Sequence, residues 1–290
     1  MAGVVITSAA NPLIKRVRLL ADRRHRQREG AFVAEGVQPV SQALAAGADV
    51  ETLIVAPGLL ARSPGGQAAA RMVAASEGAG ARVARVSDEL FGRLSGRDGP
   101  SGLAAIVRAR PGGLGDLVLR PDSLLLALHE IGNPGNLGTI IRTASAAGAA
   151  GVVLTGTATD PFDPAAVKAS MGAVFTVPVV HAAAEAFLGW AAGAGVTVVA
   201  TSARAAVSYW DASYPLPAAF LLGAEGPGLP GDLIARGNQQ VRIPMTGTAE
   251  SLNLAVAAGL LLYEARRQVG WRPGPGKLYV APDPPGRAAE

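Results

Sequence analysis

The most constraining feature of the sequence is a series of short, wholly apolar runs after residue 123. Four of them begin at residues 124 (LLLAL), 151 (GVVL), 196 (VTVVA) and 219 (AFLL). They lack the alternation of a strand with one face in water, so they predict strands that are buried on both faces. Further strands are expected at 175–180 and 241–244, and helices near 137, 164, 184, 231 and 252–268. This alternation predicts a mostly parallel α/β sheet that helices cover on both sides.

The first 110 residues alternate strands and helices separately and predict a small α/β sandwich. It begins with a basic helix over 11–28, which Gly30 ends, and a strand over 31–36. Residues 111–122 contain two prolines and three glycines, which is typical of a linker. We therefore expect two domains, 1–110 and 123–270, followed by a flexible Pro-rich tail at 271–290.

The sequence contains no cysteine, and His25, His129 and His181 lie far apart. Disulfides and thiolate chemistry are therefore excluded, and the histidine spacing does not match a metal site. No apolar run reaches the ~18 residues that a membrane helix needs, and the N-terminus lacks the core of a signal peptide. We expect a cytoplasmic protein with no metal and no membrane segment.

The positive charge is concentrated at the start of the chain. Residues 1–110 contain 15 Lys/Arg and 9 Asp/Glu, a net charge of +6, whereas residues 111–290 contain 11 and 13, a net charge of −2. Such an excess is typical of a surface that binds a polyanion, and equally of one that keeps a protein soluble. The candidate side chains for binding a polyanion lie in the expected first helix and are Arg23, Arg24, Arg26 and Arg28.

The first of three unusual segments is NPGNLGTIIRTA, from Asn133, directly after a predicted strand. Its Pro and Gly predict a tight turn at the carboxyl edge of the sheet, where open α/β folds bind ligands. Asn136 and Arg142 are expected to approach the same crevice. A guanidinium among apolar residues needs an anionic partner, and a phosphate is suitable. A capped helix with a structural arginine is the alternative for this segment alone.

The second segment is LGAEGPGL, from Leu222, and it also follows an apolar strand. It overlaps a Gly-x-Gly-x-x-Gly match that starts at Gly226 and would indicate a dinucleotide site of an oxidoreductase. Two prolines interrupt that match, and only a short helix is expected before Gly237. A phosphate-binding turn needs a full helix whose N-terminus faces the ligand, so we do not favour this interpretation.

The third segment is IPMTGTAESLNLAVA, from Ile243, where a strand ends in a loop that continues into the final helix. Ser251 is the expected N-cap of this helix. Asn253 is then a poor helix former one residue inside a Leu/Ala helix. This local cost suggests that its amide has a binding role.

Together and in this order, the three segments resemble the SpoU (TrmH) branch of the SPOUT methyltransferases. The resemblance covers about residues 122–268, and a lesser family signature matches KASMG from Lys168. The first domain resembles the family's L30e-like substrate-binding domain through the pattern RRHRQREGAFVAEG, from Arg23 to Gly36.

The resemblance implies properties that strand and helix patterns do not show. Family members fold part of the catalytic domain into a deep trefoil knot, an exception to the rule against threaded chains. They transfer a methyl group from S-adenosyl-L-methionine to a ribose 2′-hydroxyl and hold the cofactor largely by backbone groups. They also work as homodimers whose partner subunit completes the site.

The resemblance further assigns roles to individual positions. It implies that Arg142 activates the 2′-hydroxyl and that Asn136 orients the hydroxyl or its phosphate. Because a guanidinium stays protonated at neutral pH, Arg142 is expected to act by position and charge rather than as a base. The resemblance also implies that Glu225 organises the loop beside the methyl donor, with Ser251 and Asn253 near the reacting centre. The residues expected to line the cofactor pocket are Leu222, Gly223, Gly228, Ile243, Met245, Ser251 and Leu252.

The expected substrate is RNA, and ribosomal RNA is favoured because relatives with an L30e-like domain tend to act on it. A tRNA 2′-O-methyltransferase and a non-catalytic RNA-binding protein of the same fold are the alternatives. Self-protection against an antibiotic that targets the ribosome is also compatible with this domain layout. The sequence does not identify the methylated nucleotide.

Overall fold

The chain forms two α/β units, and the first is built on a four-stranded sheet. The computed structural model describes residues 4–95 and 99–270. The elements of the first unit are α1 (Pro12–Leu19), α2 (Arg23–Glu29), β1 (Ala31–Glu35), α3 (Val37–Ala45), β2 (Val50–Val55), α4 (Pro57–Arg62), α5 (Gly66–Gly78), β3 (Val83–Arg85), α6 (Asp88–Leu94) and β4 (Leu103–Arg108).

The strands of this first sheet lie in the order β1-β4-β2-β3. β4 is antiparallel to both of its neighbours, and β2 and β3 are parallel. One face packs against α1 and α6, and the other packs against α3 and α5. The predicted small sandwich is therefore confirmed as a sheet between two layers of helices.

The single basic helix expected over 11–28 is wrong, because the chain forms two helices there. α1 ends at Leu19, and Asp22 begins α2 by accepting hydrogen bonds from the backbone N–H groups of Arg24 and His25. Aspartate is a strong N-cap, so it starts a new helix although the basic residues continue on both sides. Gly30 ends α2 in the left-handed conformation, as expected.

The second unit contains a seven-stranded sheet in the order β7-β6-β5-β10-β8-β11-β9, with parallel neighbours throughout. Its elements are β5 (Leu124–His129), α7 (Pro134–Ala146), β6 (Gly151–Thr155), α8 (Pro164–Ser170), β7 (Val179–Ala182), α9 (Ala184–Gly193), β8 (Thr197–Thr201), β9 (Val207–Ser208), β10 (Ala218–Leu222), α10 (Gly231–Ala235), β11 (Gln239–Arg242) and α11 (Leu254–Gln268).

Both faces of this sheet are buried, as the apolar runs predict. In β5, Leu124, Leu126 and Leu128 pack on the side of α7 and α11, and Leu125 and Ala127 pack on the side of α9 and α10. The predicted parallel α/β class is confirmed. The knot remains a prediction, which the strand order alone does not test.

The strand expected at 175–180 is shorter and begins later. A 3-10 turn spans Ala173–Phe175, with the Phe175 N–H bonded to the Gly172 carbonyl, and β7 starts only after Pro178. Proline has no N–H to donate to a sheet, and Gly172 at φ 92° favours a local turn before it.

The segment 111–122, expected to be a linker, packs against the second unit. Gly112 pairs with Val180 in a parallel bridge, and Leu117 is buried in the core beneath α9. The expected tail at 271–290 lies outside the described residues. The N-terminal unit also packs directly on the second unit, because Phe32 of β1 stacks on Phe162 with ring centroids 4.5 Å apart.

Candidate active site

The three unusual segments meet at the carboxyl edge of the seven-stranded sheet. They follow β5, β10 and β11, and the strand register aligns their starting points. Leu222 at the end of β10 lies opposite Leu128 of β5, and Val241 of β11 lies opposite Thr201 of β8. The loops therefore gather over the middle of the sheet, where open parallel sheets bind ligands.

Three side chains, one from each segment, form a hydrogen-bonded triad. The Nδ2 of Asn136 donates to Glu225 Oε1, and the Nδ2 of Asn253 donates to Asn136 Oδ1 at 3.1 Å. The partners of Asn136 lie 89 and 117 positions away in the chain. Asn136 therefore links the loop after β10 to the start of α11, and its amide orientation is fixed by both contacts.

The loop after β10 owes its shape to close backbone contact. A side chain at Gly223 would place its Cβ 2.1 Å from the Gly228 carbonyl carbon, so only glycine fits there. The N–H of Gly228 bonds to the Ala224 carbonyl at 2.9 Å and closes a tight turn. This turn presents the Glu225 side chain to solvent and to Asn136.

The start of the final helix differs from expectation at two residues. Asn253, not Ser251, is the N-cap, and its Oδ1 accepts a hydrogen bond from Ala255 N at 2.9 Å. Asparagine is among the best N-caps, so its presence costs the helix nothing. The same side chain still takes part in the site, because its Nδ2 remains free to bond Asn136.

Arg142 lies on α7, six residues after Asn136, and is exposed. Six residues turn a helix by about 240° beyond a full turn, so the two side chains leave α7 on different sides. The guanidinium of Arg142 forms no hydrogen bond or ion pair with another residue in 4–95 or 99–270. Its charge is therefore available to an anionic ligand, which disfavours the structural-arginine alternative.

The residues expected around the cofactor divide into buried and exposed groups. The side chain of Leu222 is 1% exposed in the core, so only its backbone can reach a ligand at the sheet edge. Ile243 packs partly on the same core. Met245 and Leu252 are each 37% exposed on the loop between β11 and α11, and Ser251 is exposed beside them.

Sequence reasoning missed the loop after β8, which the structure places between two predicted segments. β8 lies between β10 and β11 in the sheet. Thr201 at its end donates to the Leu221 carbonyl at 3.1 Å, and Ser202 N donates to the Val241 carbonyl at 3.0 Å. No local pattern identifies these residues, because only the strand order brings them to the site.

Glu130 is a second residue that the sequence did not suggest. It directly follows β5 and has φ 53°, a left-handed conformation that is uncommon outside glycine. Its N–H bonds to the Thr155 carbonyl at 2.9 Å, and the neighbouring His129 Nδ1 lies 3.1 Å from Thr155 Oγ1. Such local strain clusters at functional sites. Glu130 lies three residues before Asn133, the N-cap of α7.

The four arginines predicted to bind RNA separate into two groups. Arg23, Arg24 and Arg28 are exposed on α2. The prediction for Arg26 is wrong, because its side chain is 3% exposed and pairs with Asp160 and Asp163 of the second unit. A buried guanidinium that is bonded to two carboxylates is not available to a phosphate.

The described residues contain neither a metal cluster nor a membrane-spanning helix. Within residues 4–95 and 99–270, no group of three or more His, Asp or Glu could hold a metal ion. In the same part of the chain, none of the helices combines the length and apolar character needed to cross a bilayer.

Comparison with known proteins connects both units to RNA methylation. The SpoU rRNA Methylase family profile matches residues 123–263, and an MRM3-like substrate binding domain profile matches residues 11–105. A 23S rRNA (uridine(2479)-2′-O)-methyltransferase of Streptomyces viridochromogenes is 33% identical, over 86% of this chain and 87% of its own. The 23S rRNA (guanosine(2553)-2′-O)-methyltransferase RlmP of Bacillus subtilis is 28% identical, over 90% of this chain and 98% of its own.

Solved structures agree with this comparison. The AdoMet-bound rRNA methyltransferase from Sinorhizobium meliloti superposes with a TM-score of 0.81 at 38% identity, over 92% of this chain and 98% of its own. The fold and the site together therefore define an RNA 2′-O-methyltransferase that uses S-adenosyl-L-methionine. The chain belongs to the SpoU/TrmH family. This confirms the predicted family, enzyme class and cofactor, and excludes the oxidoreductase.

Proposed function

We propose that the chain methylates one ribose 2′-hydroxyl in the RNA of the large ribosomal subunit. The observation that carries this proposal is the triad of Asn136, Glu225 and Asn253, which joins all three motif loops, while the exposed Arg142 lies on the same helix as Asn136. The two relatives named above, which align over 86% and 90% of this chain, both act on 23S rRNA according to their names.

The residues at the sheet edge fit S-adenosyl-L-methionine. Met245 and Leu252 are large apolar side chains that the protein leaves partly uncovered, and they suit the apolar faces of an adenosyl group. The carboxylate of Glu225 has the charge opposite to that of a sulfonium. When bound there, the cofactor supplies an electrophilic methyl group. Ile243, Ser251 and the backbone of Gly223 and Gly228 complete the proposed pocket.

The proposed work of the protein is alignment and charge stabilisation. Arg142 binds the target nucleotide and stabilises negative charge that develops on the 2′-oxygen. Asn136, held by Glu225 and Asn253, keeps the loops in register so that the hydroxyl meets the methyl group in line. Such alignment accounts for a large part of the rate of a two-reactant step.

The test of this function is a comparison of ribose methylation with and without the protein. Purified protein and S-adenosyl-L-methionine are incubated with unmodified ribosomal RNA and, separately, with unmodified tRNA, and 2′-O-methylated positions are mapped. We expect one new methylated position in large-subunit RNA. Methylation of tRNA alone would favour the tRNA alternative, and a methylated base with unmodified riboses would overturn the proposal.

RNA recognition is proposed to start at the exposed arginines of α2. Changing Arg23, Arg24 and Arg28 together to alanine should weaken RNA binding and make it less dependent on salt. Each lost phosphate contact lowers the slope of log affinity against log salt by about 0.9 on duplex DNA and about 0.7 on single strands. An unchanged slope in a salt titration of RNA binding would show that α2 is only a solvated surface.

We further propose a homodimer that uses α11. Along this helix Val256 is 51% exposed, and Tyr263, seven residues later on the same side, is 46% exposed. An apolar stripe that is exposed in the single chain indicates a surface that a second copy of the chain covers.

We propose three further properties of the chain. Its domain boundaries lie at 110 and 123, and it forms a knot around the loops after β10 and β11. It is located in the cytoplasm, beside its RNA.

The dimer has a direct test. Val256→Glu should convert a species of twice the 29.2 kDa chain mass into a monomer in light scattering, because a charge is costly in an apolar interface. Val118→Glu is the matched control, since Val118 is 76% exposed and lies outside α11. A wild-type protein that is monomeric at micromolar concentration would contradict the proposal.

A further inference from the structure

The two units are joined by a buried cluster of charges around Arg26. Its Nε donates to Asp160 Oδ2 at 2.8 Å, and its Nη2 lies 3.3 Å from Asp163 Oδ2. Its Nη1 donates to the carbonyls of Leu20 and Ala21 at 3.1 and 2.7 Å. One guanidinium thus fixes the turn between α1 and α2 and attaches it to the second unit.

The two carboxylates that bind Arg26 also order the chain on their own side. Asp160 Oδ1 accepts the N–H of Phe162, and Asp163 Oδ1 accepts the N–H of Ala165 as the N-cap of α8, each at 2.9 Å. Asp160 is 9% exposed. Each acid therefore holds a backbone position with one oxygen and Arg26 with the other.

Apolar side chains also pack between the two units, next to the ion pairs of Arg26. The ring of Phe32 in β1 stacks on Phe162 at 4.5 Å and on Phe175 at 5.8 Å, measured between ring centroids. Val167 of α8 is 1% exposed within the core of the first unit. Because the cores interlock and the charges are paired, the first unit is docked on the second rather than tethered to it.

This contact between the two units, which we call the dock and which comprises the ion pairs of Arg26 and the stacking of Phe32, lies at the edge of the sheet that carries the candidate active site. Asp160 follows β6, which neighbours β5 with Thr155 opposite His129, and Asn133 and Asn136 follow β5. Thr159 N donates to the Ile131 carbonyl at 2.8 Å, so this contact lies beside the loop that leads from β5 to Asn133. Partial burial lowers the pKa of His181 in β7; the charge of Asp160 opposes this shift, and the charge of Arg23 adds to it.

We propose that Arg26 is a positioning residue for methyl transfer. Its ion pairs with Asp160 and Asp163 hold the first unit at a fixed place, so that RNA bound through Arg23 and Arg24 presents one particular ribose to Arg142. This inference rests on the proposed function, because it requires an RNA that contacts both units. The planar fork of an arginine suits two carboxylates and two carbonyls, and a lysine cannot replace it there.

The test compares Arg26→Lys with Arg93→Lys, a matched change of an exposed arginine on α6. Single-turnover methylation is measured on a long large-subunit RNA transcript and on a short oligonucleotide that contains only the target and its neighbours. Arg26→Lys should slow methylation of the transcript by about 10- to 100-fold, since a misplacement near 1 Å has effects of that size. The oligonucleotide rate and the affinity for S-adenosyl-L-methionine should match those of the wild type, and Arg93→Lys should behave as the wild type throughout.

Two results would overturn the proposal. A wild-type rate of Arg26→Lys on the transcript would show that the dock does not set the position of the RNA. An equal loss on both RNAs would show that Arg26 only maintains the folded state. A wild-type protein that methylates neither RNA would instead refute the proposed function. If Arg26→Lys fails to fold, Asp163→Asn takes its place, because this acid is 30% exposed and its contact with Arg26 is the longer one.

An activity-independent measurement completes the test. Because the chain has no cysteine, Ala74→Cys on α5 and Ala192→Cys on α9 provide two exposed sites for spin labels. The distance distribution between them should be narrow with Arg26 present and broader with Arg26→Lys. An unchanged distribution would overturn the proposal, and this readout decides the matter if the wild type does not accept the oligonucleotide.

Discussion

Arg142→Ala is expected to lower the rate of methyl transfer by about 10²- to 10³-fold, as the loss of one group that stabilises developing charge does in other enzymes. Arg142 is exposed and unpaired among the described residues, so its guanidinium is available to the RNA. The affinity for S-adenosyl-L-methionine should stay close to that of the wild type, because the proposed pocket is formed by the loops after β10 and β11. Single-turnover kinetics and calorimetric titration measure the two effects separately.

Two variants control this experiment. Arg142→Lys keeps the charge without the planar fork and should be impaired less than Arg142→Ala. Arg236→Ala removes an exposed arginine near the start of β8, at the opposite edge of the sheet, where its ion pair with Glu185 contributes little. It should retain full activity. If Arg142→Ala weakened cofactor binding as much as it slowed transfer, Arg142 would belong to the cofactor pocket instead.

The parallel sheet could be predicted because its strands are almost wholly apolar, which indicates that both of their faces are buried. Leu124 to Leu128 are all buried, and a run without polar residues has few other places in a soluble fold. The strand order could not be predicted in the same way. β8 and β9 precede β10 in the chain, yet β10 lies between β5 and β8 in the sheet. That order depends on the crossover connections between the strands, which hydrophobic periodicity does not record.

The errors at helix ends have one physical cause. Ser251 and Asn253 are both good N-caps, as is Asp22, and local sequence does not decide which of several caps is used. In the structure α11 begins at Leu254 with Asn253 as its N-cap, and the same side chain also bonds Asn136. Similarly, Arg26 looks like the other arginines of α2 until tertiary contacts place it against Asp160.

The members of the candidate site could be predicted, but their contacts could not. Resemblance identified Asn136, Glu225 and Asn253 from separate motifs. Their side chains meet because β5 and β10 are adjacent in register and α11 packs against α7. Thr201 and Glu130 lie in the same region without a recognisable motif, so only the folded chain shows that they belong there.

Changes at Asn136 should have the second large effect, because this amide joins the other two members of the triad. Asn136→Ala removes both hydrogen bonds and should slow methyl transfer by about 10²-fold, the cost of a small misalignment. Asn136→Asp should be worse at neutral pH. It keeps the acceptor for Asn253 but puts a second carboxylate against Glu225, and like charges in contact repel. Single-turnover rates at saturating cofactor measure both variants.

The relative activity of the two variants should also depend on pH, in a direction that the repulsion between the carboxylates determines. When two carboxylates share a site, one of them takes up a proton more readily than an isolated acid does. Lowering the pH should therefore add a proton to the carboxyl pair of Asn136→Asp, which removes the repulsion and restores a donor between positions 136 and 225. The activity of Asn136→Asp relative to Asn136→Ala should rise as the pH is lowered, and rates divided by those of Asn136→Ala cancel the pH dependence of the rest of the enzyme. A ratio that stays flat or falls would mean that Glu225 does not face position 136 in the active enzyme, and that the three loops are held together by other contacts.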